Sequence, residues 1–544
     1  MPAVATEQLG PTRRHLRLVL VAAILASFVS FLDSSVVNVA LPAIRRELGG
    51  GLAAQQWVVD AYLLSLGSLI LIAGSLSDLY GRKRILTAGL IGFLVASLGC
   101  AIAPNVGVLI AARFVQGVFG ALLVPSSLAL IMSNFRDNAE GRAIGTWTAW
   151  TGIAGVFGPV LGGILVDAAS WRWVFAINVL PIAVTLLLMA LLEPEDHRPR
   201  GKVDWRGAIL CALGLGGPVF ALIEQPSRGW GDPVIWGPLA GGLVLFAAFL
   251  LWEVRCPHPM LPLELFRNRV FTVGNLATFA IYAGLSAVTF VVVVFLQQVA
   301  GWSALEAGLA FVPVTVVMFA LSSRMGQLAS KFGPRLFMGF GPLVGSVGFL
   351  LLLRVGAHPS YWIDVLPSVV LFSLGLALTV APLTTAILGD VPREESGIAS
   401  AVNNAVARVA GLIAVAFVGA IVAAAFTASL TGRVDHRGGS STERAAADSA
   451  APMVISPPAE LEHDAAFRQD LTGAAVDSFH AAVVTVVILL SAGGIISLVG
   501  IPSGRRPRRR MPASASGGGV EPGPAARPQE QHDAEDSDGG SDQR

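Results

Sequence analysis

The sequence contains little charge for its length. Of its 544 residues, 13% are Asp, Glu, Lys or Arg and 54% are hydrophobic; a soluble domain carries roughly 25% charged residues. Too little polar surface remains to face water, which excludes an ordinary soluble protein. The charges are clustered between long uncharged runs, a pattern typical of helices that cross a bilayer repeatedly. The net charge of +1 does not indicate a nucleic-acid partner.

The sequence is also poor in cysteine and in the motifs that enzymes and ATP-driven pumps require. Its three cysteines lie far apart in different segments, which predicts neither a disulfide framework nor a metal site. There is no Ser/His/Asp grouping, no HExxH, no pair of metal ligands at helical spacing and no GxxxxGK[ST] nucleotide loop. The sequence therefore predicts no enzyme, no metal and no cofactor, and an ion gradient as the energy source.

Long apolar runs separated by polar breaks dominate the chain. A helix needs about 20 apolar residues to cross a bilayer, and the runs predict fourteen such helices. The first run is longer than a signal-peptide core and lacks a cleavage site, so we expect it to remain as the first helix. The predicted spans are residues 18–41, 57–77, 85–103, 107–132, 143–166, 172–192, 207–224, 234–252, 271–298, 307–328, 336–353, 363–388, 399–428 and 479–501.

Arginine and lysine are distributed unevenly between alternate loops. One set of loops carries several-fold more of them, and the positive-inside rule then places both termini in the cytoplasm. Lysine is scarce while arginine and alanine abound, which is typical of a GC-rich bacterium and favours a bacterial cytoplasmic membrane. The inner set is GRKR (81–84), Arg136, Arg142, HRPRGK (197–202), Arg255, Arg267, Arg269, Lys331, Arg335, Arg393 and GRRPRRR (504–510). The short outer loops hold Arg45, Arg46, Arg172, Arg228 and Arg354.

An internal repeat divides the chain. GSLSDLYGRKR (74–84) lies at the inner end of the second predicted helix, and GQLASKFGPR (326–335) lies at the inner end of the tenth. Repeated halves are typical of transporters. The two copies are eight helices apart, so two extra helices must separate two six-helix halves.

The predicted domains follow from this repeat. An N-terminal six-helix half covers 1–200, two inserted helices cover 201–265, and a C-terminal half covers 266–502. Within the C-terminal half, 429–478 is predicted to be an outer loop that is too long and polar to pack tightly. The remaining residues, 503–544, are rich in Pro, Gly, Ser and Asp and are predicted to form a disordered cytoplasmic tail.

Several segments match the motifs of one transporter family. They are GSLSDLYGRKR between helices two and three, LIAARFVQGVFGA (109–121) in helix four, AGVFGPVLGG (154–163) in helix five and LDSSVVNVALPAI (32–44) in helix one. In these motifs the chain resembles the major facilitator superfamily, in its fourteen-helix branch of drug:proton antiporters. The resemblance implies an all-α membrane fold of two six-helix bundles with two inserted helices, and a monomer.

At the inner end of helix two, four residues are interpreted as a conformational latch. Gly74 and Gly81 permit a tight turn and a close helix approach. Asp78 is suited to capping a neighbouring helix or pairing with a basic side chain, and Arg82 lies in the same loop. Such contacts would hold the outward-open state and break on opening inward. The alternative is a positive loop that only sets topology, which explains the arginines but not the glycine spacing.

Helix five is interpreted as a gate between the halves. Pro159 removes a backbone hydrogen-bond donor, and glycines allow close packing against a partner helix. Simple packing is the alternative. The residues assigned to this gate are Gly145, Gly158, Pro159, Gly162 and Gly163.

Asp33 and Arg113 are charged residues predicted to lie inside the bilayer. Such charges cost roughly 2.5–3.5 kcal/mol on insertion scales. The two residues lie about 12 Å and about 9 Å from the outer ends of their predicted helices, which indicates one shared cavity. We interpret Asp33 as the carrier of the coupling proton and Arg113 as the charge that changes its proton affinity. The alternatives are a packed hydrogen-bonding role for Asp33 and an anchor to backbone carbonyls for Arg113.

Other polar residues are candidates for the substrate cavity. Asp60, Asn38 and Gln116 are assigned there, although Asp60 is equally compatible with a wetted position at the outer interface. Glu253, at a helix end, is expected to be solvated. Arg408 lies inside helix thirteen without an acidic partner that the sequence identifies.

The resulting hypothesis is efflux of hydrophobic drugs or antibiotics, including cationic ones, in exchange for protons by alternating access. A lone membrane carboxylate suits protons better than an oxygen-rich sodium site. Two alternatives remain open at this point. One is a dedicated exporter of a single metabolite such as an antibiotic, a lipid or a siderophore, and the other is a membrane sensor that transports nothing.

Overall fold

The chain is built from α-helices, as its apolar runs predict. The computed structural model describes residues 13–135, 137–192, 202–389, 396–450 and 464–502, together with Val391 and Leu461, and these contain no strand. The helices are α1 (Arg13–Leu48), α2 (Leu52–Tyr80), α3 (Arg82–Ala101), α4 (Val106–Asn134), α5 (Asp137–Ala168), α6 (Arg172–Ala176), α7 (Val179–Ala190), α8 (Trp205–Arg228), α9 (Pro233–Arg255), α10 (Arg269–Gln298), α11 (Ala304–Leu309), α12 (Val312–Phe332), α13 (Pro334–Leu350), α14 (Leu366–Gly389), α15 (Ser396–His436), α16 (Ser441–Ser449) and α17 (Ala465–Gly500).

Thirteen spans in the described part of the chain are long and apolar enough to cross a membrane, so this is a multi-pass membrane protein. The span predicted at 143–166 corresponds to α5, a helix of 32 residues whose apolar part is the shorter stretch Phe157–Ala168. The all-helical fold is confirmed, and the exact number of fourteen spans stays a prediction. Several helices extend well beyond their predicted ends. For example, α1 continues to Leu48.

Two predicted spans are each broken into a short and a long helix. In the span predicted at 172–192, α6 ends at Ala176 and α7 begins at Val179. Pro181 explains the break, because a proline ring clashes with the carbonyl four residues earlier, here that of Ile177. Pro313 has the same relation to Leu309, the last residue of α11.

The two halves of the sequence form two similar helix bundles. Helices α1–α7 pack together in the first bundle and α10–α17 in the second, while the α8–α9 hairpin contacts α2 and α15 and so touches both. Gly81 and Gly333, which the repeat aligns, end α2 and α12 with φ of 96° and 90°. This left-handed backbone favours glycine and explains why both copies of the repeat keep it.

The halves are closed against each other at one end of the bundle. This end holds the 49–51 turn and the end of α10, and the arginine distribution predicts that it faces outside; we call it the outer end. There Gln56 on α2 donates from Nε2 to the carbonyl of Val415 on α15 at 2.9 Å. Gln298 on α10 likewise donates to Oε1 of Gln55 at 3.0 Å.

The segment predicted as a loose outer loop, 429–478, is largely helical where the structure describes it. Helix α15 continues to His436, α16 follows, and α17 begins at Ala465. Apolar residues such as Leu430, Val434 and Leu471 are buried there, so the expectation that this segment does not pack is wrong. The predicted disordered tail, 503–544, lies outside the described residues.

The inserted hairpin also differs from expectation at its inner end. Glu253 is 3% exposed instead of solvated, and one of its oxygens accepts a hydrogen bond from the backbone N–H of Leu261 at 2.9 Å. Asp204 accepts from the indole N–H of Trp252 at 2.9 Å and caps the start of α8. The loop around the hairpin folds back and covers these carboxyl groups.

Candidate functional site

A buried ion pair joins α1 and α4 inside the first bundle. The Nη1 atom of Arg113 lies 2.5 Å from Oδ2 of Asp33. Neither side chain has appreciable accessible surface, at 1% and 0% exposure. The two charges that the sequence assigned to one cavity are thus in direct contact, and the roles assigned to them stay predictions.

Amide and hydroxyl groups complete the surroundings of the carboxylate. Gln116 and Asn178 each donate a side-chain N–H to Oδ1 of Asp33, both at 2.9 Å. Gln116 also accepts from Arg113 at 2.6 Å and donates to Ser97 at 2.8 Å. Asp33 thus has hydrogen bonds from three side chains, and both of its carboxylate oxygens have a donor.

The position of Arg113 follows from the close packing of α4 against α2. Gly117 lets α2 approach α4 so closely that a Cβ there would overlap Ser65 and the backbone of Tyr62. With α2 so close, Nε of Arg113 donates to the carbonyl of Val58 at 3.0 Å, and the guanidinium lies 4.3 Å from the centre of the Tyr62 ring. The anchoring of Arg113 to a backbone carbonyl, which the sequence left as an alternative, therefore coexists with the ion pair.

The charge pair is balanced only while both partners remain charged. Removing one partner of a buried pair costs about 3–5 kcal/mol, because the other charge is left uncompensated. Protonation of Asp33 would have the same consequence as a mutation, since it removes the negative charge beside Arg113.

Asp60 is a second buried carboxyl group, outside this pair. It is 0% exposed, and neither of its oxygens has a hydrogen-bond partner in the part of the chain that the structure describes. One turn before it on α2, Gln56 bonds α15, and two turns after it Gly67 lies against Val409 of α15. This spacing places Asp60 on the face of α2 that packs against the other half.

Two of the three residues assigned to the substrate cavity do not line an open one in this conformation. Gln116 is buried in the Asp33 network, and Asp60 is sealed between helices, which also excludes the wetted position considered for it. Asn38 is half-buried and donates to the carbonyl of Ser34 one turn earlier in its own helix. Packing between helices decides which residues line a cavity. The position of a residue along its own helix does not reveal that packing.

The glycines of helix five make two different contacts. A Cβ at Gly158 would overlap Oγ of Ser35, and one at Gly162 would lie 2.8 Å from Val36, so α5 presses against α1 within the first half. A Cβ at Gly163 would lie 2.5 Å from the Cα of Leu305, so the same helix also presses against α11 of the second half.

Pro159 and Gly145 complete the assigned gate. The carbonyl of Pro159 meets Gly308 of α11 so closely that a Cβ on that glycine would overlap it. Gly145 has open space where a Cβ would lie. The outer half of α5 is therefore in contact with the second bundle, and its role as a gate stays a prediction.

The assigned latch residues are spread over the α2–α3 turn. Gly81 forms the turn itself, and a Cβ at Gly74 would meet no atom within 4 Å, so no close helix approach occurs there in this conformation. Arg82 begins α3. The side chain of Asp78 lies outside the described residues, and the latch stays a prediction.

An all-helical bundle of two similar halves, with a buried charge pair in one of them, is the architecture of a membrane carrier. Sequence comparison identifies the family. The profile of the Major Facilitator Superfamily matches residues 23–415, and the chain belongs to this superfamily.

The relatives at the sequence level are resistance and export proteins. The chain is 34% identical to the methylenomycin A resistance protein of Bacillus subtilis over 412 residues, covering 74% of this chain and 87% of that protein. It is 34% identical to the tetracenomycin C resistance and export protein of Streptomyces glaucescens over 406 residues, covering 72% and 73%. The resemblance to antibiotic exporters of this superfamily is thereby confirmed.

Solved structures agree on the fold. The chain resembles a bacterial homologue of the human lysosomal transporter Spinster, in an inward-facing and unoccupied conformation, with a TM-score of 0.62. The sequences are 17% identical, and the match covers 90% of this chain and 98% of the other. This likeness concerns the fold alone.

Sequence reasoning did not identify Asn178 and Ser97 as members of the site. Asn178 lies within the apolar run predicted as the span at 172–192. The available signal was a polar residue three positions before a proline in the middle of an apolar run. Such a residue lies at a helix break, where its side chain is free to reach a partner on another helix.

Proposed function

We propose that this carrier exports hydrophobic small molecules from the bacterial cytoplasm in exchange for protons, by alternating access. The observation that supports the proposal most directly is the buried pair of Asp33 and Arg113. Charges inside a bilayer are costly and mark ion or proton pathways. The export direction follows that of relatives such as the tetracenomycin C resistance and export protein, and both termini would face the cytoplasm.

In the conformation described, Asp33 is suited to being ionised. It receives hydrogen bonds from Gln116 and Asn178 and an ion pair from Arg113, and each of these favours the charged form. Binding of a proton would release Arg113 from its partner. Two conformations that differ in this contact would therefore differ in proton affinity, which is the coupling that antiport requires.

Asp60 is suited to the opposite charge state. An ionised carboxylate that is buried without a partner is strongly disfavoured, so the closed interface between α2 and α15 stabilises the neutral acid. Opening the outer end would expose this face of α2 and allow ionisation. Closing the outer end would thus require that Asp60 carry a proton.

Together the two carboxyl groups suggest the order of events. With the outer end closed, Asp33 has released its proton and the carrier is ready to load cargo from the cytoplasm. With the outer end open, Asp60 ionises and Asp33 is the group that binds the returning proton. The cargo leaves in the second state, and the proton gradient favours the return to the first.

The test is proton exchange in everted membrane vesicles. The vesicle interior is acidified, hydrophobic dyes and antibiotics are added outside, and internal pH is followed by fluorescence. We expect substrate-dependent proton release from the wild type and its loss in Asp33→Asn, which keeps the shape of the side chain without its charge. Asp232→Asn is a matched control, because Asp232 caps the outer start of α9 and pairs with Arg228, away from the Asp33 network.

Proton release that persists in Asp33→Asn would contradict the assigned proton site. Movement of a compound without any proton release would contradict proton coupling. If no compound produced a response from a correctly folded wild type, the dedicated exporter or the sensor would replace broad efflux as the better hypothesis.

A further inference from the structure

Arg408 is a basic residue deep in the second bundle that the mechanism above does not use. It lies twelve residues after the start of α15 at Ser396, or about 18 Å along the helix at 1.5 Å per residue. Its side chain is half-buried, and no carboxylate lies within ion-pair distance of it in the described part of the chain. A charge at such a depth requires a function or a partner.

The side chain of Arg408 reaches the opposite half of the molecule, while Tyr282 on α10 lies near it in its own half. Its guanidinium carbon lies 4.9 Å from the centre of the Phe31 ring on α1. Its Nη1 atom lies 3.5 Å from Oγ of Ser34 on the same helix, the outer limit of a hydrogen bond. An arginine has five N–H donors, so these contacts leave most of its capacity for another acceptor.

The neighbouring acidic groups do not compensate this charge. The negative charge of Asp33 is already matched by Arg113, which lies 2.5 Å away. Asp60 is sealed in the interface between α2 and α15 and makes no ion pair with Arg408. Arginine keeps its charge at any physiological pH, so the space between α1 and α15 carries an uncompensated positive charge that repels organic cations and attracts anions.

We propose that Arg408 binds an acidic group of the cargo, and that the carrier exports hydrophobic anions such as carboxylic acids and acidic phenols. The planar guanidinium pairs well with a carboxylate through two parallel hydrogen bonds. Phe31 offers apolar surface beside it for the hydrophobic body, and Asn38, one turn beyond Ser34, offers a further amide. This inference rests on the proposed export function and differs from the cationic cargo that the sequence analysis included.

The test compares two dyes that share a xanthene core and differ in charge. Binding of fluorescein, an anion, and rhodamine 6G, a cation, to the purified full chain in detergent is measured by fluorescence polarisation. The variants are Arg408→Gln, which removes the charge, and Arg408→Lys, which keeps it. Arg444→Gln removes an arginine exposed on α16 and serves as the control for net charge.

We expect the wild type to bind fluorescein more tightly than rhodamine 6G. Arg408→Gln should weaken fluorescein binding by about tenfold or more, the effect of losing hydrogen bonds to a charged group. Arg408→Lys should retain most of the preference, and Arg444→Gln should bind like the wild type. Thermal melting identifies a variant that unfolds. If Arg408→Gln unfolds, the dye preference of Arg408→Lys decides the outcome.

Equal binding of the two dyes, a preference for rhodamine 6G, or fluorescein binding that survives Arg408→Gln would overturn the proposal. The vesicle experiment separates this result from the export function. Proton-coupled movement of rhodamine 6G but not fluorescein would leave efflux intact and contradict the anionic cargo. Fluorescein binding that depends on Arg408, without any proton-coupled transport, would support the anionic cargo and contradict the proposed export function.

Discussion

Asn178 donates a hydrogen bond of 2.9 Å to Asp33 from the break between α6 and α7. The break exists because Pro181 interrupts the helix, so a backbone irregularity on one element supplies a ligand to a charge on another. The Asn178 amide is thus a third donor to Asp33, in addition to Gln116 and Arg113. This relationship can be tested separately from transport.

Asn178→Ala should destabilise the folded protein by about 1.5–3 kcal/mol, the value of a hydrogen bond to a charged group. In an Asp33→Asn background the same change should cost clearly less, because the charge that the amide stabilises is absent. The measurement is a double-mutant cycle of unfolding free energies in detergent micelles. Additive effects of the two changes would show that the contact carries no coupling energy.

Asp60→Asn should favour the conformation that is closed at the outer end. The amide mimics the neutral acid and cannot ionise, so opening and closing no longer involve proton binding at residue 60. Spin labels at Arg46→Cys and His436→Cys, on exposed ends of α1 and α15, would report the separation of the halves. We expect a larger population at short distance than in the wild type, and less dependence of that population on pH.

If Asp60→Asn instead shifted the labels apart, Asp60 would be ionised in the closed state and the assignment would be wrong. The native Cys100, Cys211 and Cys256 must first be replaced, because they would otherwise compete for label. The replaced background without Asp60→Asn is the matched control.

Asp167→Ala should have the opposite effect on the same pair of labels. The carboxylate of Asp167, at the end of α5, accepts hydrogen bonds from the backbone N–H groups of Ala304 and Leu305 at 3.2 and 2.7 Å. It thus caps the start of α11 across the boundary between the halves, a contact that exists only while the outer end is closed. We expect a larger population at long distance, and Asp167→Asn should retain part of the closed population.

Glu443→Gln should loosen the helical segment at the outer end. The backbone N–H of Ser440, followed by the guanidinium of Arg437, holds the pKa of Glu443 below its usual value of 4.5. Because the folded pKa is the lower one, the ionised carboxylate stabilises the fold at neutral pH, and this stabilisation is lost as the pH falls through the folded pKa. Hydrogen exchange of α16 should be faster in Glu443→Gln at neutral pH.

In the wild type, the protection of α16 against exchange, corrected for the intrinsic pH dependence of exchange, should fall as the pH drops below 4.5, whereas Glu443→Gln should lack this fall. Arg444→Gln is the matched control, since its ion pair with Asp435 is exposed at both ends and such pairs contribute little. An identical pH response in Glu443→Gln and the wild type would assign the stability of α16 to other contacts.

Distances along the predicted helices placed Asp33 and Arg113 at similar depths in the membrane. In the structure the two side chains are in contact. The depths themselves were inaccurate, because α1 runs to Leu48 instead of residue 41. The two side chains meet because pairing offsets the cost of burying each charge inside a bilayer. For Asp60 the same reasoning failed, since nothing in the sequence of α2 shows which of its faces meets α15.

The sequence by itself determined that this protein lies in a membrane, that it consists of helices and that it is divided into two related halves. These properties follow from composition, run length and repeat, because a bilayer admits few structures that satisfy every backbone group. Only the tertiary structure decided which polar residues meet. Asn178 reaches Asp33, Asp60 is sealed, and Arg408 faces the opposite half without a carboxylate among the described residues, because each of these facts depends on how separate helices pack.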